Sequence, residues 1–197
     1  MAEPLFVSNI DEKSMQELVL GAVLDVWTQA GGRHYIPIIG RSMFPLIRSG
    51  GQVLVAHGCA GIRRGDVVVF RYYGKLIAHR VLRIRKNEAV HTFITKGDNV
   101  LQFDPPLHAN KIVGRVLAIK RGNRCMPLDT AVWLILGWLI AVSTVFLAKI
   151  HGCGRNLKER WFGSYFTCLT PVLHRCEQVF SFFIRKILFA VFCKWKS

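Results

Sequence analysis

The stretch Gly40-Arg41-Ser42-Met43-Phe44-Pro45 directly follows an apolar run at residues 36–39. Gly40 allows a sharp backbone turn or a close approach to a ligand, and Pro45 fixes φ and cannot extend a strand ladder. Ser42 is therefore expected in a rigid bend with its hydroxyl exposed, as a catalytic nucleophile requires. Most serines in turns only hydrogen-bond to neighbouring backbone, so these six residues alone leave both interpretations open.

Two stretches downstream could supply the partners of such a nucleophile. Ile77-Ala78-His79-Arg80-Val81 places a histidine on a predicted strand, where most histidines are ordinary core or edge residues. Thr95-Lys96-Gly97-Asp98-Asn99 has the composition of a turn, and Asp104 follows six residues after Asp98. Together with Ser42 they provide a hydroxyl, a base that titrates near neutral pH and a carboxylate to orient that base. These are the parts needed for acyl transfer.

The chain from residue 36 to residue 120 has the pattern of short strands separated by glycine. β-branched residues are enriched in five segments, at 52–56, 66–71, 76–84, 89–95 and 112–119. Tyr73-Gly74-Lys75 is expected to join two of them as a hairpin. The predicted fold class is mainly β, with a small coiled antiparallel sheet forming the domain at residues 36–127.

Residues 1–35 are predicted to contain one amphipathic helix, over 14–30. Ser14 with Glu17 three residues later forms a capping-box pattern, apolar residues then recur at spacings of three and four, and Gly31-Gly32 ends the pattern. Its charges favour packing on the domain core over spanning a membrane, and lying on a bilayer surface is the alternative. No basic start leads into an apolar core, so no cleavable signal peptide is expected.

The composition changes abruptly after residue 128. Residues 130–148 are 19 consecutive residues without a charge, and as a helix they would be roughly 28 Å long, close to the hydrocarbon thickness of a bilayer. The sequence therefore predicts a transmembrane helix at 128–150. Residues 151–197 mix Lys and Arg with aromatic residues, which is typical of a membrane-associated interfacial tail. A second span at 178–193 is the alternative.

The chain is both basic and apolar. Its 197 residues include 27 Lys and Arg against 12 Asp and Glu, giving a net charge of +15, yet 51% are hydrophobic and the mean hydropathy is +0.29. This combination favours an anionic membrane surface over nucleic acid as a partner. The six cysteines include no CxxC pair, so we expect free thiols, no metal site and no cofactor. Lipidation of Cys153 is an alternative use of one thiol.

Five boxes in a fixed order resemble those of the type I signal peptidases. They are Gly40-x-Ser42-Met43-x-Pro45, Gly50-Gly51-x-Val53, Gly65-Asp66-Val67-Val68-Val69-Phe70, His79-Arg80-Val81, and Lys96-Gly97-Asp98-Asn99 followed by a later Asp. The similarity covers about residues 36–119 and extends to the clan that these enzymes share with the self-cleaving SOS-response repressors. Bacterial members carry lysine immediately before the Arg-Val pair, so His79 makes the chain similar to the archaeal and endoplasmic-reticulum subtype.

The resemblance implies a serine endopeptidase that cleaves a leader or signal-type peptide. By position, Ser42 would be the nucleophile, His79 the general base and Asp104 the orienting carboxylate, with Asp98 structural or an alternative partner of the histidine. The supporting positions would be Gly40, Met43, Lys96 and Asp98. An imidazole can accept the serine proton at neutral pH without the desolvation that a lysine base, such as Lys75, would need.

Three features depart from the family pattern. Gly40 stands where many members have a serine that assists the oxyanion, the Gly50-Gly51 box lacks the usual acid, and the predicted anchor follows the catalytic domain instead of preceding it. Because no export signal precedes this basic domain, we expect an integral membrane protein with its catalytic domain on the cytosolic side. Two other functions stay open: a peptidase that cleaves itself or one dedicated partner, and a non-catalytic peptide-binding module. The expected partners are a peptide or preprotein and the lipid membrane.

Overall fold

The computed structural model describes residues 12–86 and 91–161. Within them, helices α1 (Glu12–Gln29) and α2 (Ala131–Trp161) flank one sheet. The strands are β1 (Arg33–Pro37), β2 (Gln52–His57), β3 (Val67–Tyr72), β4 (Lys75–Lys86), β5 (His91–Lys96), β6 (Leu107–His108), β7 (Ile112–Arg121) and β8 (Arg124–Pro127). A short 3-10 helix, Ala109–Lys111, connects β6 to β7.

The sheet has the strand order β1-β2-β7-β3-β4-β5-β6, and β8 also pairs with β7. All of these pairings are antiparallel. The register shifts at three places, in β2, β3 and β4, and such irregularities bend and coil a sheet. The mainly β, antiparallel architecture predicted from the sequence is confirmed.

The five predicted strands correspond to β2, β3, β4, β5 and β7, with bounds that differ by about two residues or less. The predicted hairpin joins β3 to β4, and its two central residues, Tyr73 and Gly74, have φ of 46° and 68°. Positive φ at both positions gives the turn the same twist as its strands. The sequence patterns did not single out β1, β6 and β8, which contain between two and five residues.

β3 is buried on both faces, and this determines the surroundings of its neighbour β4. Val67 and Val69 point into one hydrophobic cluster, which also contains Leu24 of α1. The alternate residues of β3, Val68 and Phe70, point into a second cluster on the other face, as the two-residue period of a strand requires. His79 and Arg80 of β4 pair with Val68 and Val67, and both are buried.

Helix α1 packs on the sheet through Leu24, whereas Val19, Val23 and Val26, which the amphipathic pattern placed on the apolar face, are exposed. Leu24 is fully buried, and Arg71 of β3 reaches the helix through Nη2, which donates to the Asp25 carboxylate at 2.6 Å and to the Gly21 carbonyl at 3.3 Å. The helix begins at Glu12, two residues before the Ser14 capping box from which it was expected to start.

Helix α2 packs against β4. Leu136, Ala141 and Val145 are buried on its inner side, and the last two lie in one cluster with Leu82 of β4. A β-carbon added to Gly137 would stand 2.6 Å from the carbonyl oxygen of Gly65. The helix backbone therefore touches the turn before β3, an approach that side chains at these two positions would prevent.

A helix is present where the sequence predicts a transmembrane helix, at residues 128–150, but its bounds differ from the predicted ones. The helix there is α2, which begins at Ala131 and continues to Trp161, well into the predicted tail. Across residues 12–86 and 91–161, no helix combines the length and the apolar character needed to cross a membrane. The remainder of the predicted tail, with the alternative second span at 178–193, lies outside the described residues.

A cluster of three aromatic rings joins α1 to the β1–β2 pair. The Trp27 and His34 rings are stacked with centroids 4.0 Å apart, and the His57 ring meets both edge-on. Neither nitrogen of His57 has a hydrogen-bond partner among the described residues. Burial, together with the nearby His34, lowers the pKa of His57.

The lowered pKa of His57 predicts a loss of stability in acid. As pH falls through about 6.5, the unfolded chain takes up a proton at this residue that the folded chain does not, so the free energy of unfolding decreases. His57→Phe removes this proton uptake and should flatten the dependence of the urea midpoint on pH between 7 and 5. His108→Phe, at an exposed histidine, is the control and should leave that dependence unchanged. Equal flattening in both variants would contradict the assignment.

Candidate active site

The loop that carries Ser42 is closed at its base by backbone hydrogen bonds. The Ile38 N–H donates to the Gly51 carbonyl at 2.9 Å, and the Gly50 N–H donates to the Ile38 carbonyl at 3.0 Å. Gly40 has φ of 121°, a conformation that favours glycine, and its N–H donates to Ser49 Oγ at 3.3 Å. This loop therefore has the turn geometry expected from the sequence.

A second segment, residues 97–99, fastens the Ser42 loop from the other side. The Asn99 N–H donates to the Ser42 carbonyl at 2.7 Å, and Asn99 Nδ2 donates to the Arg41 carbonyl at 3.2 Å. The Asp98 N–H donates to Met43 Sδ at 3.4 Å, and Met43 is buried. Ser42 itself is half-buried. The backbone on both sides of Ser42 is thus held by one short stretch of chain.

His79 and Asp104 lie in direct contact. His79 Nδ1 is 2.6 Å from Asp104 Oδ2, and the same carboxylate oxygen accepts a hydrogen bond from Thr95 Oγ1 at 2.7 Å. The Asp104 N–H also donates to the Thr95 carbonyl at 2.9 Å, which fixes the backbone of the aspartate. Because a carboxylate accepts hydrogen bonds, this contact places the imidazole proton on Nδ1 and leaves Nε2 with its lone pair.

The free nitrogen of His79 faces the Ser42 loop across Gly97. A β-carbon added to Gly97 would stand 2.9 Å from His79 Nε2 and 2.8 Å from the Ser42 carbonyl oxygen. Among the described residues no hydrogen bond links Ser42 Oγ to His79 Nε2, and Nε2 lies near the backbone carbonyl of Ser42. Catalytic hydrogen bonds are often long in the absence of substrate.

Asp98 has a different partner from Asp104. Its carboxylate receives two hydrogen bonds from Arg80, from Nε at 2.8 Å and from Nη2 at 2.6 Å, and both side chains are almost completely buried. Arg80 Nη1 donates in addition to the Gly65 carbonyl at 2.7 Å. Of the two carboxylates that the sequence left as candidates, Asp104 contacts the histidine, and Asp98 belongs to a structural ion pair.

Two lysines are also candidates, as a supporting site residue or as an alternative base. Lys96 is half-buried, with Nζ 5.7 Å from the centre of the Phe103 ring. Lys75 is exposed in the β3–β4 hairpin. Sequence reasoning missed Thr95 and Arg80 as site residues, although each stands next to a predicted one, Lys96 and His79. Among the described residues no cluster of His, Cys, Asp or Glu could hold a metal ion.

The buried ion pair and a surface ion pair predict very different effects of mutation. Asp98→Ala leaves the Arg80 guanidinium buried without its carboxylate and should lower the free energy of unfolding by about 3–5 kcal/mol. Asp25→Ala is the matched control, because the Arg71–Asp25 pair is largely exposed and should cost less than about 1 kcal/mol. Urea unfolding followed by circular dichroism measures both values. Similar losses in the two variants would contradict the role of the Arg80–Asp98 pair.

Comparison with known proteins adds no assignment to this geometry. No protein-family model matches the chain, and no curated protein matches it significantly. The resemblance to signal peptidases therefore stays a prediction, and the functional proposal depends on the residues and their contacts.

Proposed function

We propose that the protein is a membrane-associated serine endopeptidase of signal-peptidase type, which cleaves a leader or signal-type peptide. The observation that carries this proposal is the chain of contacts from Thr95 to Asp104 to His79, whose free Nε2 faces the Ser42 loop across Gly97. A buried histidine oriented by a carboxylate next to a serine in a fixed bend is the arrangement that activates a hydroxyl nucleophile.

The reaction follows from the positions of the protons. His79 Nε2 takes the proton of the Ser42 hydroxyl while Ser42 Oγ bonds to the carbonyl carbon of the substrate, and the Asp104 carboxylate stabilises the imidazolium that forms. The imidazolium then protonates the leaving amine as the peptide bond breaks. In the second half of the reaction His79 takes a proton from water while the water oxygen bonds to the acyl carbon, and the imidazolium returns that proton to Ser42 Oγ as the ester bond breaks.

The negative charge that develops on the substrate oxygen has a donor available in the same loop. Among the described residues, no acceptor receives a hydrogen bond from the Ser42 N–H. A backbone N–H fixed in the nucleophile's own loop can stabilise an oxyanion without reorganisation. Gly40 brings no hydroxyl to this position, so the Ser42 N–H is the donor that we assign.

The substrate is an extended peptide in this proposal. β1 lies at one edge of the sheet, and its chain continues directly into the Ser42 loop, where Ile39 is 93% exposed. A peptide that adds to such an edge presents its backbone to the catalytic groups and alternate side chains to the surface. By resemblance, small side chains are preferred just before the scissile bond. Cleavage of the chain itself or of one partner would use the same groups.

Association with a membrane is the second part of the proposal, and the outer surface of α2 supports it. Among the described side chains of α2, five large apolar ones are exposed, and most follow the spacing of one helical face. They are Val132, Ile135, Trp138, Leu139 and Phe146. An apolar helix face on a strongly basic chain is typical of binding at the surface of an anionic bilayer.

The peptidase proposal predicts that activity depends on three residues. Ser42→Ala, His79→Ala and Asp104→Asn should each lower kcat for a cleavable leader peptide by about 10³-fold or more, because each removes part of one proton-transfer unit. Lys75→Ala, at the exposed hairpin, should retain full activity. Cleavage that survives the first two substitutions, or that rises only above about pH 9, would eliminate this mechanism.

The membrane proposal predicts an effect of charge on α2. Ile135→Glu should lower the fraction of protein that floats with phosphatidylglycerol–phosphatidylcholine vesicles by about tenfold, since it places a charge where the exposed Ile135 side chain would enter the bilayer. Tyr73→Glu alters a large side chain in the β3–β4 hairpin that is even more exposed than Ile135 and should float like the wild type. If Ile135→Glu also floats like the wild type, α2 is not the membrane-binding element.

A further inference from the structure

The solvent-facing charge of the sheet domain is overwhelmingly positive. Residues 33–127 contain 17 Lys and Arg but only four acids, of which Glu88 lies outside the described residues. None of the other three, Asp66, Asp98 and Asp104, is exposed. Along the described part of this domain, acidic side chains therefore contribute almost nothing to the charge that a partner meets.

Each of these three carboxylates has hydrogen-bond or ion-pair partners within the protein. Asp98 pairs with Arg80, and Asp104 receives hydrogen bonds from His79 and Thr95. Asp66 Oδ2 accepts from the Arg63 N–H at 2.7 Å and lies 3.9 Å from Arg115 Nη1. The internal contacts thus use the negative charge and leave an excess of cations at the surface.

Among the side chains that the structure describes, ten of these cations are exposed. They are Arg33, Arg41, Arg48, Arg63, Lys75, Arg85, Lys111, Lys120, Arg121 and Arg124. A surface with one sign of charge attracts oppositely charged partners and repels basic ones.

Arg41 brings the positive charge to the site itself. It is bonded directly to Ser42, and its carbonyl accepts hydrogen bonds from Asn99 Nδ2 and from the Phe44 N–H, so its backbone is fixed. Its side chain is exposed, and no acidic side chain among residues 12–86 and 91–161 pairs with it. A guanidinium in this position can form a bidentate pair with a carboxylate of a bound peptide.

We infer that the substrate is an acidic peptide, with Asp or Glu close to the scissile bond, and that Arg41 is the residue that selects it. This inference rests on the proposed peptidase function and adds the chemical class of its substrate. An anionic lipid surface is the competing use of the same charge. The position of Arg41 beside the nucleophile, within a loop held by residues 97–99, favours the peptide.

The test compares two fluorescein-labelled peptides, each with an Ala-Leu-Ala centre flanked on both sides by two Glu or by two Gln. Binding is measured by fluorescence anisotropy with the Ser42→Ala protein at low and high salt, so that turnover does not interfere. Because an exposed ion pair contributes little, we expect the Glu peptide to bind about two- to fivefold more tightly per pair formed. This preference should shrink at high salt.

Three variants in the Ser42→Ala background test whether Arg41 causes the preference for the Glu peptide. Arg41→Glu should reverse it, so that a peptide with Lys in place of Glu binds better than the Glu peptide, and Arg41→Gln should remove it. Arg85→Glu is the control, since Arg85 is exposed on β4 six residues beyond His79, roughly 20 Å along the strand. This variant should keep the preference. Unchanged urea midpoints show that the variants are folded.

Four outcomes decide the inference. Tighter binding of the Glu peptide supports the inference if Arg41→Glu reverses this preference, Arg41→Gln removes it and Arg85→Glu keeps it. Equal binding of the Glu and Gln peptides overturns it, and so does a preference that Arg41→Glu and Arg85→Glu weaken equally. Loss of binding to phosphatidylglycerol vesicles in Arg41→Glu, without any peptide preference in the parent, assigns the charge to lipid and overturns it as well. Cleavage is followed separately with Ser42 intact: a Glu peptide that binds through Arg41 but is never cleaved refutes the peptidase and not the binding preference.

Discussion

The buried ion pair between Arg80 and Asp98 is the interaction on which the arrangement of the site depends. Two hydrogen bonds hold the carboxylate, and a third ties the same guanidinium to the Gly65 carbonyl. Removing either charge would leave the other desolvated, which costs several kcal/mol. The pair therefore fixes residues 97–99 relative to β4, and these residues hold the backbone of the Ser42 loop.

The same pair connects helix α2 to the site. Gly65 receives the third hydrogen bond of Arg80 and also touches the backbone of α2 at Gly137. His79 is the residue next to Arg80 on β4. This strand is therefore held by its pairing with β3 and β5 and, through Arg80 and Gly65, by the contact with α2. The proposed membrane-binding helix is thus part of the support of the site.

Much of the fold could be predicted from the sequence because its signals are local. Enrichment in β-branched residues, glycine at the turns and the Tyr73-Gly74 pair define the longer strands and one hairpin. The set Ser42, His79 and Asp104 could also be proposed in advance. The short strands β6 and β8 could not, because two to four residues carry too little periodicity to be distinguished from loops.

The parts that escaped prediction depend on contacts between distant segments. The resemblance favoured Asp104 over Asp98 but left Asp98 as an alternative, and the contacts with Arg80 and His79 distinguish the structural carboxylate from the one that orients the histidine. For α2, a run of uncharged residues gives an average hydropathy but does not show which face packs against β4. Gly137 looks like an ordinary residue of an apolar helix, yet it permits the contact with Gly65.

The central claim, that His79 activates Ser42, is tested most directly by the reactivity of the serine itself. A fluorophosphonate should form a covalent adduct whose mass and peptide map locate it on Ser42, and His79→Ala should slow the labelling at neutral pH by about 10³-fold or more. Equally fast labelling without His79, or a folded wild-type protein that never reacts at Ser42, would contradict the account.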